Sequence, residues 1–275
     1  MARVPIKRRR RQCALQRQIV GCHSGRQLAG ASEGIHALLA YQATHGGGRV
    51  HVFDGEYEGY AYTAGALEIP VVFHPRDEGS LRGVAESIEP GDTFWLSQPS
   101  AIDGNLWSGF ATFTSLLAEH APGARLVVDL TYVGAVPGLV PISLENPLVS
   151  AVLWSLSKPF GVYYHRIGGL LTREEIPSLR GQLWFKNLFS LALGERLMAT
   201  FGPGELPRRY LEKQASAVSS AIAEGTVPPG TRASDVVLLA HGVRGDATWD
   251  EYRRGAGLRF CLSPSMDAMI NREQP

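Results

Sequence analysis

The sequence predicts an α/β fold: a large domain with a mainly parallel sheet, followed by a smaller α+β C-terminal domain. Two observations carry this. Short, almost wholly apolar runs recur along the first two thirds of the chain, and segments with helical periodicity lie between several of them. Strands buried on both faces read as continuous apolar runs, and parallel strands need such crossovers. The first helical pattern starts at Ala31, with Ile35, Leu38, Leu39 and Gln42 on one face, and ends at His45-Gly-Gly-Gly48. Val50–Phe53, Pro70–Phe73, Thr93–Leu96, Leu126–Asp129 and Val149–Trp154 read as strands, and Trp107–Glu119 as a helix. Further on, Leu179–Thr200 is helical in pattern. Pro203–Glu224 reads as a second helix, interrupted near Pro207. Pro228-Pro-Gly230 marks a turn, and Arg232–Ala240 and Gly257–Leu262 read as strands. The expected organisation is a basic N-terminal segment at 1–27, a large domain at 28–175, and a helical linker with a small domain at 176–275.

Composition narrows the class. The chain has 275 residues, 44% apolar and 19% charged, enough for a sizeable core. No apolar run reaches the roughly 20 residues of a membrane helix. Cys13, Cys22 and Cys261 show neither metal-ligand spacing nor an even count, which points to a reducing, cytoplasmic setting. Eight Lys/Arg precede the first acidic residue, Glu33, whereas the rest of the chain carries 19 Lys/Arg against 26 Asp/Glu. The basic run Lys7–Arg11 reads as a disordered tail; no nucleic-acid-binding motif accompanies it. There is no Gly-x-Gly-x-x-Gly after a first strand and no Gly-x4-Gly-Lys-Ser/Thr, which disfavours nicotinamide and nucleotide-phosphate chemistry.

The most informative segment is Trp154-Ser-Leu-Ser-Lys158-Pro-Phe-Gly-Val-Tyr-Tyr-His-Arg166. A lysine at the end of a buried strand is costly to keep charged, and a desolvated amine is suited to carbonyl chemistry. Ser155, three residues before it, and Arg166, eight after, supply a hydroxyl and a cation for an anion such as a phosphate. Gly30-Ala31-Ser32 opens a helix, whose free N–H groups favour the same kind of anion. Asp129 ends a strand and needs a partner for its carboxylate.

These residues resemble the cofactor-binding segments of fold-type I pyridoxal-phosphate (PLP) enzymes, the aspartate aminotransferase superfamily. Ser155-x-x-Lys158 with Arg166 is similar to the cofactor-lysine segment, and Val127-Val-Asp129-Leu-Thr-Tyr132 to the strand-end Asp-x-x-Tyr. Gly30-Ala-Ser32-Glu-Gly-Ile35 resembles the phosphate turn, and Asp54-Gly-Glu-Tyr57-Glu-Gly-Tyr60 the segment of the ring-stacking aromatic. The resemblance implies a PLP-dependent transferase-like fold and an aminotransferase working through a Lys158 Schiff base on an amino acid and a 2-oxo acid. It leaves open a decarboxylase, β-lyase or oxidase reaction, and a non-catalytic member of the fold. It implies that Ala31, Ser32, Ser155 and Arg166 hold the phosphate, and that Asp129 pairs with the ring nitrogen. Tyr132 would face the phenolic oxygen and Tyr57 stack on the ring, with Tyr60 and Tyr62 as rivals. Arg259, in Gly257-Leu-Arg-Phe-Cys-Leu, would grip the substrate carboxylate, and the protein would be a homodimer.

The chain departs from the pattern in the loop Leu96-Ser-Gln-Pro-Ser-Ala101-Ile-Asp-Gly104. Ala101 stands where the superfamily carries an asparagine for the phenolic oxygen; Gln98 and Asn105 are the nearby residues that could compensate. Only 29 residues precede the phosphate turn, and 93 positions separate Arg166 from Arg259, so the N-terminal arm and the C-terminal domain are expected to be short.

Overall fold

A computed structural model describes residues 24–138, 146–181, 187–201 and 204–267. The basic segment up to residue 23, with Cys13 and Cys22, lies outside the described residues.

The chain builds two sheets. The larger is formed by β1 (Ser24–Leu28), β2 (Val50–Phe53), β3 (Val71–His74), β4 (Thr93–Ser97), β5 (Arg125–Asp129), β6 (Val149–Ser155) and β7 (Gly168–Thr172), in the order β1-β7-β6-β5-β4-β2-β3. The β3-β2-β4-β5-β6 block is parallel, and β7 runs antiparallel to both β6 and β1. Helices cover both faces: α1 (Ala31–Thr44), α2 (Gly59–Ala66), α3 (Leu81–Glu86) and α4 (Phe110–His120). Alternation along β4 sends Phe94 and Leu96 into one core, with Phe113 and Leu117 of α4, and Trp95 into the other, with Ile35 and Leu39 of α1. Gly34 lets α1 press on the sheet, because a Cβ there would run into the Leu153 side chain.

The chain leaves β2 outward to β3 and returns past it to β4. That reversal opens a crevice at the C-terminal ends of β2 and β4, the place where ligands bind in open α/β sheets.

The second sheet, in the order β10-β11-β9-β8, comprises β8 (Arg232–Ala233), β9 (Leu239–Val243), β10 (Arg253–Arg254) and β11 (Gly257–Cys261). Of the helices α5 (Leu188–Thr200) and α6 (Glu205–Ala223), the second packs Ala217, Val218 and Ala221 against Leu258 and Phe260. A further cluster of Ala101, Tyr132, Ala135, Val136, Val236 and Leu239 joins the two sheets' surroundings.

Three expected elements come out differently. Arg232–Ala240 is not one strand but β8 and β9, paired antiparallel around a turn. That turn is drawn to the larger sheet's loops: Ser234 Oγ donates to the Asp103 carbonyl at 2.6 Å, and Asp235 accepts from the Leu106 N–H at 2.8 Å. Pro207 does not interrupt α6; it sits in the first turn, where its missing N–H had no helical partner to lose. The helix expected from Leu179 starts only at Leu188 with Asn187 as cap, and a 3₁₀ turn occupies Pro177–Leu179.

Candidate active site

The expected residues gather at the C-terminal ends of the parallel strands. At one end of the site, the Gly30 backbone lies against Gly168, which is in register with Ser155. Arg166 reaches back over this turn. Its Nη2 donates to Ser32 Oγ at 3.2 Å, and a Cβ on Gly30 would meet the guanidinium at 2.7 Å. Gly30 adopts φ 81°, and α1 begins with no side-chain cap on its first N–H groups. Arg166 itself adopts φ 51°, a left-handed conformation that costs a non-glycine residue energy and recurs at binding sites. Glu33, in the first turn, accepts from the Ala29 N–H at 2.5 Å, so its carboxylate is engaged with the backbone before the helix. Ser155 Oγ donates to the Ile167 carbonyl at 3.3 Å and accepts from the Ser157 N–H at 3.0 Å. Among the described residues, the Ser157 hydroxyl beside Lys158 is the buried side-chain polar atom without a partner.

At the other end, Asp129 is buried at the tip of β5. It accepts from the Tyr60 hydroxyl at 2.7 Å, from the Thr131 N–H at 2.8 Å, and from the Thr131 hydroxyl. Burial pushes its pKa up, against the pull of Thr131, Tyr60 and the nearby Lys158 charge. Burial also raises the Tyr60 hydroxyl well above its ordinary value, and the Asp129 and Glu56 charges add to this. Lys158 Nζ lies 5.7 Å from the centre of the Tyr132 ring. Tyr57 packs edge-on against Tyr60, centroids 5.4 Å apart, and is 44% exposed.

Arg259 on β11 donates to the Ala101 carbonyl, so the second sheet's arginine meets the loop after β4. Burial lowers its pKa, partly offset by Tyr132 and Glu56.

Lys158, Asp129, Tyr132 and Arg259 thus share one region, and Gly30–Ser32, Ser155 and Arg166 another close by. Contrary to the expectation for a strand-end lysine, Lys158 is not desolvated: it lies on the turn after β6 and its side chain is exposed. Gln98 and Asn105 do not compensate for Ala101. Gln98 bonds both ways to the Trp107 backbone, and Asn105 bonds to Asp235 and His241. Sequence reasoning missed Glu56 entirely and Tyr60 as the partner of Asp129. Tyr60 is three positions past Tyr57, on the first turn of α2, and that spacing was its only signal.

The residues fit PLP. A cation, a hydroxyl and helix N–H groups without a side-chain cap converge at Gly30, where φ 81° and the Arg166 guanidinium both disfavour a Cβ. Asp129 at the end of β5, Tyr57 after β2 and Lys158 after β6 bring a buried carboxylate, a partly exposed aromatic ring and a lysine to the C-terminal side of the sheet.

A scan of the sequence against protein-family models and a search of curated proteins gave no match. Solved structures are similar over most of their length. A protein from Escherichia coli with a methionine aminotransferase function aligns over 90% of this chain and 76% of its own, at 16% identity and a TM-score of 0.67. The PLP-bound C-S lyase from Staphylococcus hominis aligns over 90% and 75%, at 12% and 0.68. L-threonine-O-3-phosphate decarboxylase from Porphyromonas gingivalis aligns over 96% and 88%, at 16% and 0.61. With a seven-stranded, mostly parallel sheet, a second antiparallel sheet and these neighbours, the chain has the fold of the fold-type I PLP-dependent enzymes.

Proposed function

We propose that this protein is a PLP-dependent enzyme acting on an amino acid, with transamination as the reaction. The observation that carries the reading is the meeting of Lys158, Asp129 and Tyr132 at strand ends, with Arg166, Ser32 and Gly30 forming an anion cradle beside them. When bound, PLP supplies an electron sink for the charge left at a substrate's α-carbon.

The protein's own groups do the rest. Arg166, Ser32, Ser155 and the N–H groups opening α1 hold the phosphate; Ala31 contributes backbone. Asp129, kept in place by Tyr60 and Thr131, offers its carboxylate to the ring nitrogen. Tyr57 would stack on the pyridine, and Tyr132 would offer a hydroxyl to the phenolic oxygen. Lys158 Nζ would hold the cofactor at its aldehyde and is the amine placed to move a proton at the substrate's α-carbon. Arg259 presents a planar fork of donors that suits the substrate carboxylate. In this reading residues 28–175 form the cofactor domain and 176–275 the helical linker and small domain. A 2-oxo acid serves as the second substrate.

The protein is proposed to act as a homodimer. Tyr163, Tyr164, Leu188 and Phe189 are large, exposed and adjacent to Arg166, with Phe189 5.8 Å from the His165 ring. Such a patch suits a second copy. Sedimentation should give twice the chain mass; a monomer at micromolar concentration would contradict it. Among the described residues no helix is long and apolar enough to cross a membrane.

A second reading keeps PLP and changes the bond broken, since a C-S lyase and a decarboxylase share this fold too. The test is a screen of amino acids against the PLP-loaded protein. Transamination leaves the cofactor as pyridoxamine phosphate and releases a 2-oxo acid. Pyruvate with ammonia, or carbon dioxide, would favour the second reading. No spectral response to any amino acid would overturn both.

A further inference from the structure

The described residues contain one buried carboxylate at the crevice that the proposed chemistry does not use. Glu56 lies in the turn between β2 and α2, next to Tyr57. Its two oxygens accept from the Ser97 N–H at 3.1 Å and the Ser97 hydroxyl at 2.7 Å. Ser97 Oγ in turn accepts from the Ala101 N–H at 2.6 Å, and the Ala101 carbonyl accepts from Arg259. The bonds hold Ala101 on both sides of its Cα: its carbonyl accepts from Arg259, its N–H donates to Ser97, and the Ser97 hydroxyl donates to Glu56. The link is therefore one of position: fixing the Ala101 backbone fixes the acceptor that Arg259 meets.

The same turn meets the second sheet directly. Gly55 lies against the backbone of Arg254 and Gly255, where a Cβ on either glycine would overlap the backbone of the facing segment, and Arg254 pairs with Glu58 at 3.2 Å. Residue 101 has no side-chain polar group, so what fixes this loop under Arg259 is its backbone.

We propose that Glu56 is a positioning residue for Arg259, acting through Ser97 and the Ala101 peptide to set the guanidinium that receives the substrate carboxylate. The proposal rests on the reading of the chain as a PLP-dependent enzyme of amino acids. Burial raises the Glu56 carboxyl to about 7, against Ser97's two hydrogen bonds and the Arg76 charge. A carboxylate held at that cost, with no salt bridge of its own among the described contacts, is consistent with such a role.

The test compares ligands that differ only in the carboxylate, L-alanine against ethylamine and L-leucine against isoamylamine. Their affinities are read from the absorbance of PLP bound to the parent, Glu56→Ala, Glu56→Gln and Ser97→Ala. Loss of the anchor should weaken amino acids about tenfold or more in Glu56→Ala and Ser97→Ala, the range expected for losing a hydrogen bond to a charged group. The amines should be unaffected and PLP content preserved. Glu56→Gln, whose amide still bonds Ser97, should recover most of the loss. Equal weakening of amines and amino acids, or no change in either, would overturn the proposal while leaving the PLP reading intact. A parent that takes up no PLP would overturn the reading itself, and the proposal with it. Should Glu56→Ala fail to fold, Ser97→Ala and Glu56→Gln decide: parent-like discrimination in Ser97→Ala overturns the proposal.

Discussion

The phosphate end and the ring end of the proposed site are built in opposite ways. At the phosphate end the polar side chains of Arg166 and Ser32 are exposed: they reach each other over Gly30, and the anion would be met by a cation and backbone N–H groups. At the ring end the two carboxylates, Glu56 and Asp129, and the Tyr60 hydroxyl are buried. Burial pushes Glu56, Tyr60 and Asp129 upward together, and each is held by bonds from distant parts of the chain. The first end tolerates water and serves by charge. The second must be preorganised, because an unmet charge in low dielectric is costly.

The largest effect should come from breaking the buried end. Asp129→Ala removes a carboxylate and leaves the Tyr60 hydroxyl without its acceptor. One-sided loss of a buried pair costs about 3–5 kcal/mol. Affinity for PLP and for pyridoxal should therefore fall together, with turnover nearly abolished. Equal turnover of Asp129→Ala and the parent would remove Asp129 from the mechanism.

A smaller loss is expected at the junction with the second sheet. Arg259→Lys keeps the charge and loses the fork, so amino-acid binding should weaken by roughly 1.5–3 kcal/mol with PLP binding unchanged. If PLP affinity drops in parallel, Arg259 is structural.

The buried end should also show in the pH dependence of stability. Glu56 binds its proton more tightly when folded, at about 7, than at the ordinary 4.5. The fold therefore gains stability as pH falls through that window and loses it as pH rises. Asp129 is shifted in the same direction. Glu56→Gln cannot titrate, so denaturant unfolding of parent and variant on either side of the window should diverge by on the order of 3 kcal/mol, the parent being relatively weaker at the alkaline side. Parallel pH curves would mean that Glu56 is not raised.

The smallest effect should be at the exposed end. Gly30→Ala places a Cβ at φ 81° and against Arg166, a left-handed strain of about 1–2 kcal/mol. It should weaken PLP and leave pyridoxal, which lacks the phosphate, almost untouched. Equal weakening of both ligands would show that the two ends are not separable.

The same contrast decides what the sequence could reveal. Ser155, Lys158 and Arg166 sit within 12 residues of one another, and Gly30 with Ser32 opens a helix, so local spacing and turn chemistry were enough to read them. The strands of the parallel block were legible from apolar runs for the same reason. The buried network was not. Tyr60 meets Asp129 across 69 positions, Glu56 meets Ser97 across 41, and Arg259 meets Ala101 across 158. No local pattern encodes those pairings; they exist only once β2, β4, β5 and β11 have come together. The break in Arg232–Ala240 was hidden likewise, since its cause is a bond from Ser234 to a loop 131 positions away.

The most direct test of the central claim is chemical fixation of the cofactor. Protein incubated with PLP, reduced with borohydride and digested should yield a single pyridoxyl-bearing peptide, with the label on Lys158. A label on any other lysine, or none at all, would contradict the assignment of this site.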